Sequence, residues 1–316
     1  MKNIITYKRI QSNYENVCYV NSIFALFLYL YINKGGHNTL FVSHIDFQAL
    51  LANSKLDNVV IVNTKLNKNW DSLLYKMGLL QYDITTLIKK KKFFGHDHLT
   101  YAFLFDLSHG SVLEDGAGNY NGPIPFKKRV KRALKGRVVS PLGYGNKITS
   151  IYLSKPELVD SQLQNKTKVF DVVDMLDYTR NFSLQMILTH NFESLSGKNI
   201  LFTQPISDLV TEDGKIELYK EIAEKYNITV IKPHPRECTD YTKHFSCLIL
   251  DKFIPAEVLI SPDDKNVHLY TLNSTSVLNL KEVNDNIQVD LLALDLHDFL
   301  TQWKTDKNLK QENLNH

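Results

Sequence analysis

Apolar residues fall into short runs bounded by polar turns, and strand-like runs alternate with helix-like stretches. Ile4-Ile5-Thr6-Tyr7, Leu40-Phe41-Val42 and Val59-Val60-Ile61-Val62 are clusters of strand length. Val17 to Ile32 is apolar apart from Asn21 and Ser22 and ends in Asn33-Lys34-Gly35-Gly36, which predicts a buried helix closed by a glycine cap. The run is shorter than the roughly 20 residues a membrane-spanning helix needs. Trp70 to Lys91 predicts mostly helix, closing in a lysine cluster suited to a helix end and to solvent. Tyr101 to Phe105 and Ser111-Val112-Leu113 predict further strands.

A second alternation begins at Asn199-Ile200-Leu201-Phe202. It continues through a helix from about Gly214 to Tyr226 into the β-branched run Tyr226 to Ile231. Leu248-Ile249-Leu250 and His268-Leu269-Tyr270-Thr271 predict later strands, with a helix opening near Ile254-Pro255-Ala256 between them. Alternation of this kind predicts an α/β fold with parallel sheets. Ser154 to Gly197 carries no strand pattern and reads as a connection. The expected division is residues 1–155, an N-terminal α/β domain; 156–197, a helical connection; and 198–316, a C-terminal α/β domain. The end from Lys307 to His316 reads as a polar tail.

Composition narrows the function classes. With 43% apolar and 22% charged residues, the chain is globular, and 316 residues suffice for two domains. A net charge of +3 supplies no field that would call for nucleic acid. Three cysteines without CxxC spacing suit a reducing compartment and build no disulfide or metal framework. No secretory signal opens the sequence, so a cytoplasmic location is expected. P-loop, HExxH, EF-hand and Gly-x-Ser-x-Gly patterns are all absent.

The chemistry gathers at strand ends. In Lys232-Pro233-His234-Pro235-Arg236-Glu237, two prolines end a strand and hold His234 in a rigid turn between two cations. An imidazole so placed suits a phosphate; the alternative is a surface turn with an idle histidine. Asn273-Ser274-Thr275-Ser276 precedes an apolar helix start and reads either as an anion-binding helix N-terminus or as an ordinary cap. Glu114-Asp115-Gly116-Ala117-Gly118-Asn119-Tyr120 predicts a tight loop presenting a carboxylate. Gln204-Pro205 is followed by Asp208. Lys127 to Arg137 is a basic amphipathic stretch, compatible with an anionic membrane surface or with plain solvation.

Taken together, Glu114-Asp115-Gly116, His234-Pro235 and Ser274-Thr275-Ser276 resemble three short motifs shared by bacterial sialyltransferases. Their fuller forms, with Leu201-Phe202-Thr203-Gln204-Pro205, are most similar to glycosyltransferase family 52, which includes enzymes that sialylate lipooligosaccharide and capsule. The resemblance implies a GT-B architecture of two Rossmann-like domains facing across a cleft. It also implies inverting, metal-independent transfer from CMP-sialic acid to a terminal galactose or similar sugar of a surface glycan. His234, with Lys232, Pro235 and Arg236 around it, would meet the CMP phosphate, joined by Ser274, Thr275 and Ser276. Glu257 matches the acidic position that contacts the ribose. The general base is Asp208 or lies in the acidic motif, at Asp115 or Glu114, and both alternatives stand. Other readings are a GT-B transferase using another sugar nucleotide, or a non-catalytic nucleotide- or glycan-binding module. A peripheral place on the inner face of the cell membrane and a homodimer both remain open.

Overall fold

A computed structural model describes residues 4–314 with the exception of 9, 11–12, 45–50, 52–53, 63–70, 80–83, 106, 184–193, 253, 255, 261–262, 275–276, 278–279, 281–283 and 285. The chain forms two compact units, Met1–His190 and Asn191–His316.

The first unit is built on an eight-stranded sheet: β1 (Ile4–Lys8), β2 (Asn16–Tyr19), β3 (Thr39–His44), β4 (Val59–Val62), β5 (Lys92–Gly95), β6 (Gly110–Leu113), β7 (Ile148–Leu153) and β8 (Thr167–Val169). Their order is β1-β4-β3-β2-β5-β6-β7-β8. Every neighbouring pair is parallel except the edge pair β1–β4. From β4 inward the chain winds outward from β2 in one direction and then restarts beside it with β5, the doubly wound Rossmann-like pattern. Among the described residues its helices are α1 (Ile23–Ile32), α2 (Asp71–Lys76), α3 (Thr85–Ile88), α4 (Phe126–Leu134) and α5 (Val172–Tyr178).

The second unit carries a five-stranded, wholly parallel sheet of β9 (Asn199–Phe202), β10 (Val230–Lys232), β11 (Leu248–Ile249), β12 (Val267–Thr271) and β13 (Ile287–Leu291), in the order β11-β10-β9-β12-β13. This is again the doubly wound order, with its switch point between β9 and β12. Helices α6 (Glu212–Lys225), α7 (Ala256–Leu259) and α8 (Leu296–Leu314) accompany it. Leu201, Ile231, Tyr270, Leu218, Tyr219 and Leu300 make a continuous core between sheet and helices.

Several sequence expectations are corrected. The apolar run from Val17 is not one helix: Val17 to Tyr19 is the buried centre of the first sheet, and the polar pair Asn21-Ser22 marks the break. Ser22 caps α1 by accepting from the Ala25 N–H at 3.3 Å. Hydrophobicity alone does not separate a fully buried strand from a buried helix. Within Trp70 to Lys91 only α2 and α3 are helical among the described residues, and the last lysine of the cluster, Lys92, begins β5. Tyr101 to Phe105 is not a strand but a 3₁₀ turn around Ala102–Leu104, with Phe105 stacked on Tyr19 at 4.8 Å. The stretch read as strandless contributes β8, an edge strand whose Val169 is exposed and which therefore lacks an apolar pattern. Lys307 to Leu314 continues α8, whose Leu296, Phe299, Leu300 and Trp303 recur at helical spacing against the core.

Candidate functional site

In the second unit three loops leave the same carboxyl edge of the sheet, around the β9/β12 switch point: Thr203 onward after β9, Pro233 onward after β10, and Leu272 onward after β12. In open α/β sheets this is where ligands bind. The Leu-Phe-Thr-Gln-Pro and Pro-His-Pro motifs touch: the Thr203 hydroxyl accepts from the His234 backbone N–H at 3.2 Å, and the Thr203 N–H donates to the Lys232 carbonyl at 3.1 Å. Tyr219 of α6 accepts the Gln204 N–H at 2.7 Å, which pins the same loop.

His234 is half-buried, and its Nδ1 accepts the backbone N–H of Arg236 at 3.1 Å. That leaves the ring proton on Nε2. Burial, then the charges of Arg236 and Lys232, lower its pKa to about 4. The ring is therefore a neutral Nε2–H donor at physiological pH. Lys232 is buried and its ammonium donates to the carbonyls of Pro233 and Lys252, at 2.8 and 2.9 Å. Pro235 and Arg236 are exposed beside the ring.

Below this turn lies a polar network that sequence reading missed. Lys215, fully buried in α6, donates to Glu237 Oε2 and Ser207 Oγ, each at 2.9 Å, and pairs with Glu212 at 3.1 Å. Burial would lower the Lys215 pKa, but its bonds to Glu237 and Glu212 hold it above the usual lysine value. Glu237 also accepts from Tyr241 at 3.0 Å, and its N–H closes the turn on the His234 carbonyl at 2.9 Å. Lys215 thus ties the β9 loop, through Ser207, to the His-Pro turn, through Glu237. Asp208 follows Ser207 directly and is exposed, on a shallow depression shared with Trp303 and Lys304. Ser274 is partly exposed in the β12 loop. Thr275 and Ser276 lie outside the described residues, and Glu257 lies in α7.

The acidic motif belongs to the first unit, where the structure separates its two carboxylates. Glu114 is buried and accepts the N–H and hydroxyl of Ser154, at 2.7 and 3.1 Å; burial raises its pKa. Asp115 faces outward toward two histidines after β5, its carboxylate oxygens 3.6 Å from His96 Nε2 and 3.7 Å from His98 Nε2. The two rings stack at 5.2 Å. His96 is buried, its pKa lowered to about 4 chiefly by desolvation, and neither ring nitrogen makes a hydrogen bond to a described residue. Asp97 anchors this loop by accepting from the N–H groups of Leu142 and Gly143 at 2.7 and 2.9 Å. Gly95, with φ of +134°, sits so close to β2 that an added Cβ would lie 2.0 Å from the Tyr19 carbonyl oxygen. The His-x-His spacing of His96 and His98 was the only sequence signal for this group.

The basic stretch forms α4. No residue of it is buried: Phe126, Val130 and Leu134 line one face at 76%, 41% and 65% exposure, while Lys127, Lys128, Arg129 and Lys131 are also exposed. Arg132 binds the helix back to the His98 carbonyl at 3.4 Å. No helix among the described residues is long and apolar enough to cross a membrane.

Comparison with known proteins agrees with the motif set. A sequence model of Glycosyltransferase family 52 matches residues 42–296, most of the chain. An uncharacterized protein of Haemophilus influenzae (strain ATCC 51907 / DSM 11121 / KW20 / Rd) is 35% identical over 202 residues, covering 59% of this chain and 64% of that protein. The chain therefore matches less than two thirds of that relative's length.

Proposed function

From the premise that the chain belongs to glycosyltransferase family 52, we propose that it is an inverting sialyltransferase of GT-B type. It moves sialic acid from CMP-sialic acid to a terminal galactose or similar sugar of a bacterial surface glycan, and the transfer calls on no metal. The observation that carries this reading is His234: a neutral Nε2–H donor locked at the switch-point edge of a Rossmann-like sheet.

In the reaction the acceptor hydroxyl attacks the anomeric carbon, the bond to the CMP phosphate oxygen breaks, and negative charge grows on that phosphate. The His234 donor, held in place by its turn, stabilises that charge together with the hydroxyl groups of Ser274, Thr275 and Ser276. Glu257 takes the ribose. A general base removes the acceptor proton on the opposite side of the sugar. We assign it to Asp208, whose loop Lys215 ties to the His234 turn; Asp115 is the alternative.

The direct test incubates the protein with CMP-sialic acid and a panel of galactosides. Sialylated product and released CMP are expected. Neither transfer nor slow donor hydrolysis across the panel would overturn the proposal. Thermal melts with CMP, UDP and GDP test the donor class, since a bound nucleotide raises Tm by mass action; a UDP preference would point to another sugar nucleotide.

The acceptor side of such a reaction would be carried on lipid, and α4 supports a peripheral place at an anionic membrane surface. Its exposed stripe of Phe126, Val130 and Leu134, flanked by lysines and arginine, is the pattern of a helix lying in a headgroup layer.

A further inference from the structure

The first unit contains a second constellation; the transfer reading above touches it only through Asp115, its alternative base. β2 and β5 flank the switch point of its sheet, and His96 and His98 follow β5 directly there. Asp115 reaches the same place from the loop after the adjacent strand β6. We propose that His96, His98 and Asp115 form a three-ligand site for a divalent first-row transition ion, zinc by ligand type, with a remaining coordination position open to solvent.

The distances carry the inference. One ligand atom from each of the three residues lies within 4.8 Å of the others. The carboxylate oxygens stand 3.6 and 3.7 Å from the two Nε2 atoms, beyond hydrogen-bond length. Two ligands bonded tetrahedrally to zinc at about 2.0–2.1 Å lie about 3.4 Å apart, so an ion fits between these atoms with small adjustments.

His96 supplies a second and independent observation. Its side chain is 1% exposed and aimed at the cluster, yet among the described residues both ring nitrogens lack a hydrogen-bond partner. A buried polar atom left unpaired is costly, and an ion at Nε2 would give one of the two a partner. Asp97 fixes the loop from beneath, and His98 and Asp115, at 31% and 29% side-chain exposure, leave a path for the ion. Two imidazoles and one carboxylate favour zinc or its first-row neighbours over magnesium or calcium, which require mostly oxygen ligands.

The test uses the full chain, stripped with chelator and then titrated with zinc alone by calorimetry. Cobalt(II) substitution, read by its visible absorption, is the second measurement. One ion per chain is expected, with affinity reduced about tenfold or more in both His98→Ala and Asp115→Ala. Both positions are partly exposed, and metal-free melts of the variants check that they fold. Absence of binding, or binding and cobalt spectra unchanged in both variants, would overturn the site. Because the readout is metal rather than sugar transfer, this result is separate from the fate of the transferase reading.

Discussion

The backbone N–H of Arg236 donates to Nδ1 of His234 at 3.1 Å, two residues away across a proline. A local turn thus decides which imidazole nitrogen keeps its proton, and Nε2 is left as the donor. His234→Ala should lower transfer about a hundredfold or more, the usual cost of one preorganised donor to developing charge. Steady-state kinetics with CMP-sialic acid measure it, and near-normal turnover would retire the phosphate role.

The same ring sets an acid limit on stability. Its pKa is lowered from the ordinary 6.5 to about 4 in the fold, so the unfolded chain binds the extra proton first. The stabilisation is fully present above about pH 6.5 and is lost as pH falls towards 4. Donor-free wild type should lose more Tm across that window than His234→Gln, as measured by thermal melts at stepped pH.

Lys215 and Glu237 form a fully buried pair at 2.9 Å. Lys215→Ala leaves the Glu237 carboxylate without its cation, and removing one partner of a buried pair costs about 3–5 kcal/mol. Urea unfolding should show that loss. Lys215→Met with Glu237→Leu should be milder than Lys215→Ala alone, because no buried uncompensated charge remains, Glu212 being half-exposed.

Two carboxylates compete for the role of base, and paired variants separate them. Asp208→Asn should abolish transfer while leaving CMP affinity nearly unchanged, with Asp115→Asn retaining transfer. The reverse pattern, read by product formation alongside CMP calorimetry, would move the base to Asp115.

For α4, replacing Phe126, Val130 and Leu134 with serine should release the protein from vesicles containing phosphatidylserine. Neutralising Lys127, Lys128 and Arg129 should weaken the same partition mainly at low salt, since lipid-surface attraction is screened. Co-sedimentation measures both. Binding unchanged in both variants would leave α4 as ordinary solvated surface.

Much of the second unit was legible in the residues themselves. β-branched runs, prolines that end pairing and a β-strand followed by His-Pro are local signals, because strand propensity and turn chemistry act over a few residues. The family motifs were legible for the same reason: each is one contiguous strand-end loop.

Other features depended on which strands became neighbours. Pattern could not split Val17 to Ile32, because a central parallel strand and a buried helix are both simply hydrophobic. Choosing between Glu114 and Asp115 required the chain to fold, since Ser154, which captures Glu114, arrives forty residues later. Lys215 reads in sequence as one more helix lysine; only the packing of α6 under the His-Pro turn makes it a buried clamp. His96 and His98 meet Asp115 only because β5 and β6 lie side by side. Sequence by itself determined the punctuated strands of the second unit and the motif-bearing loops, all set by short-range chemistry. Tertiary structure decided which side chains converge, because convergence is set by strand order and register between segments distant along the chain.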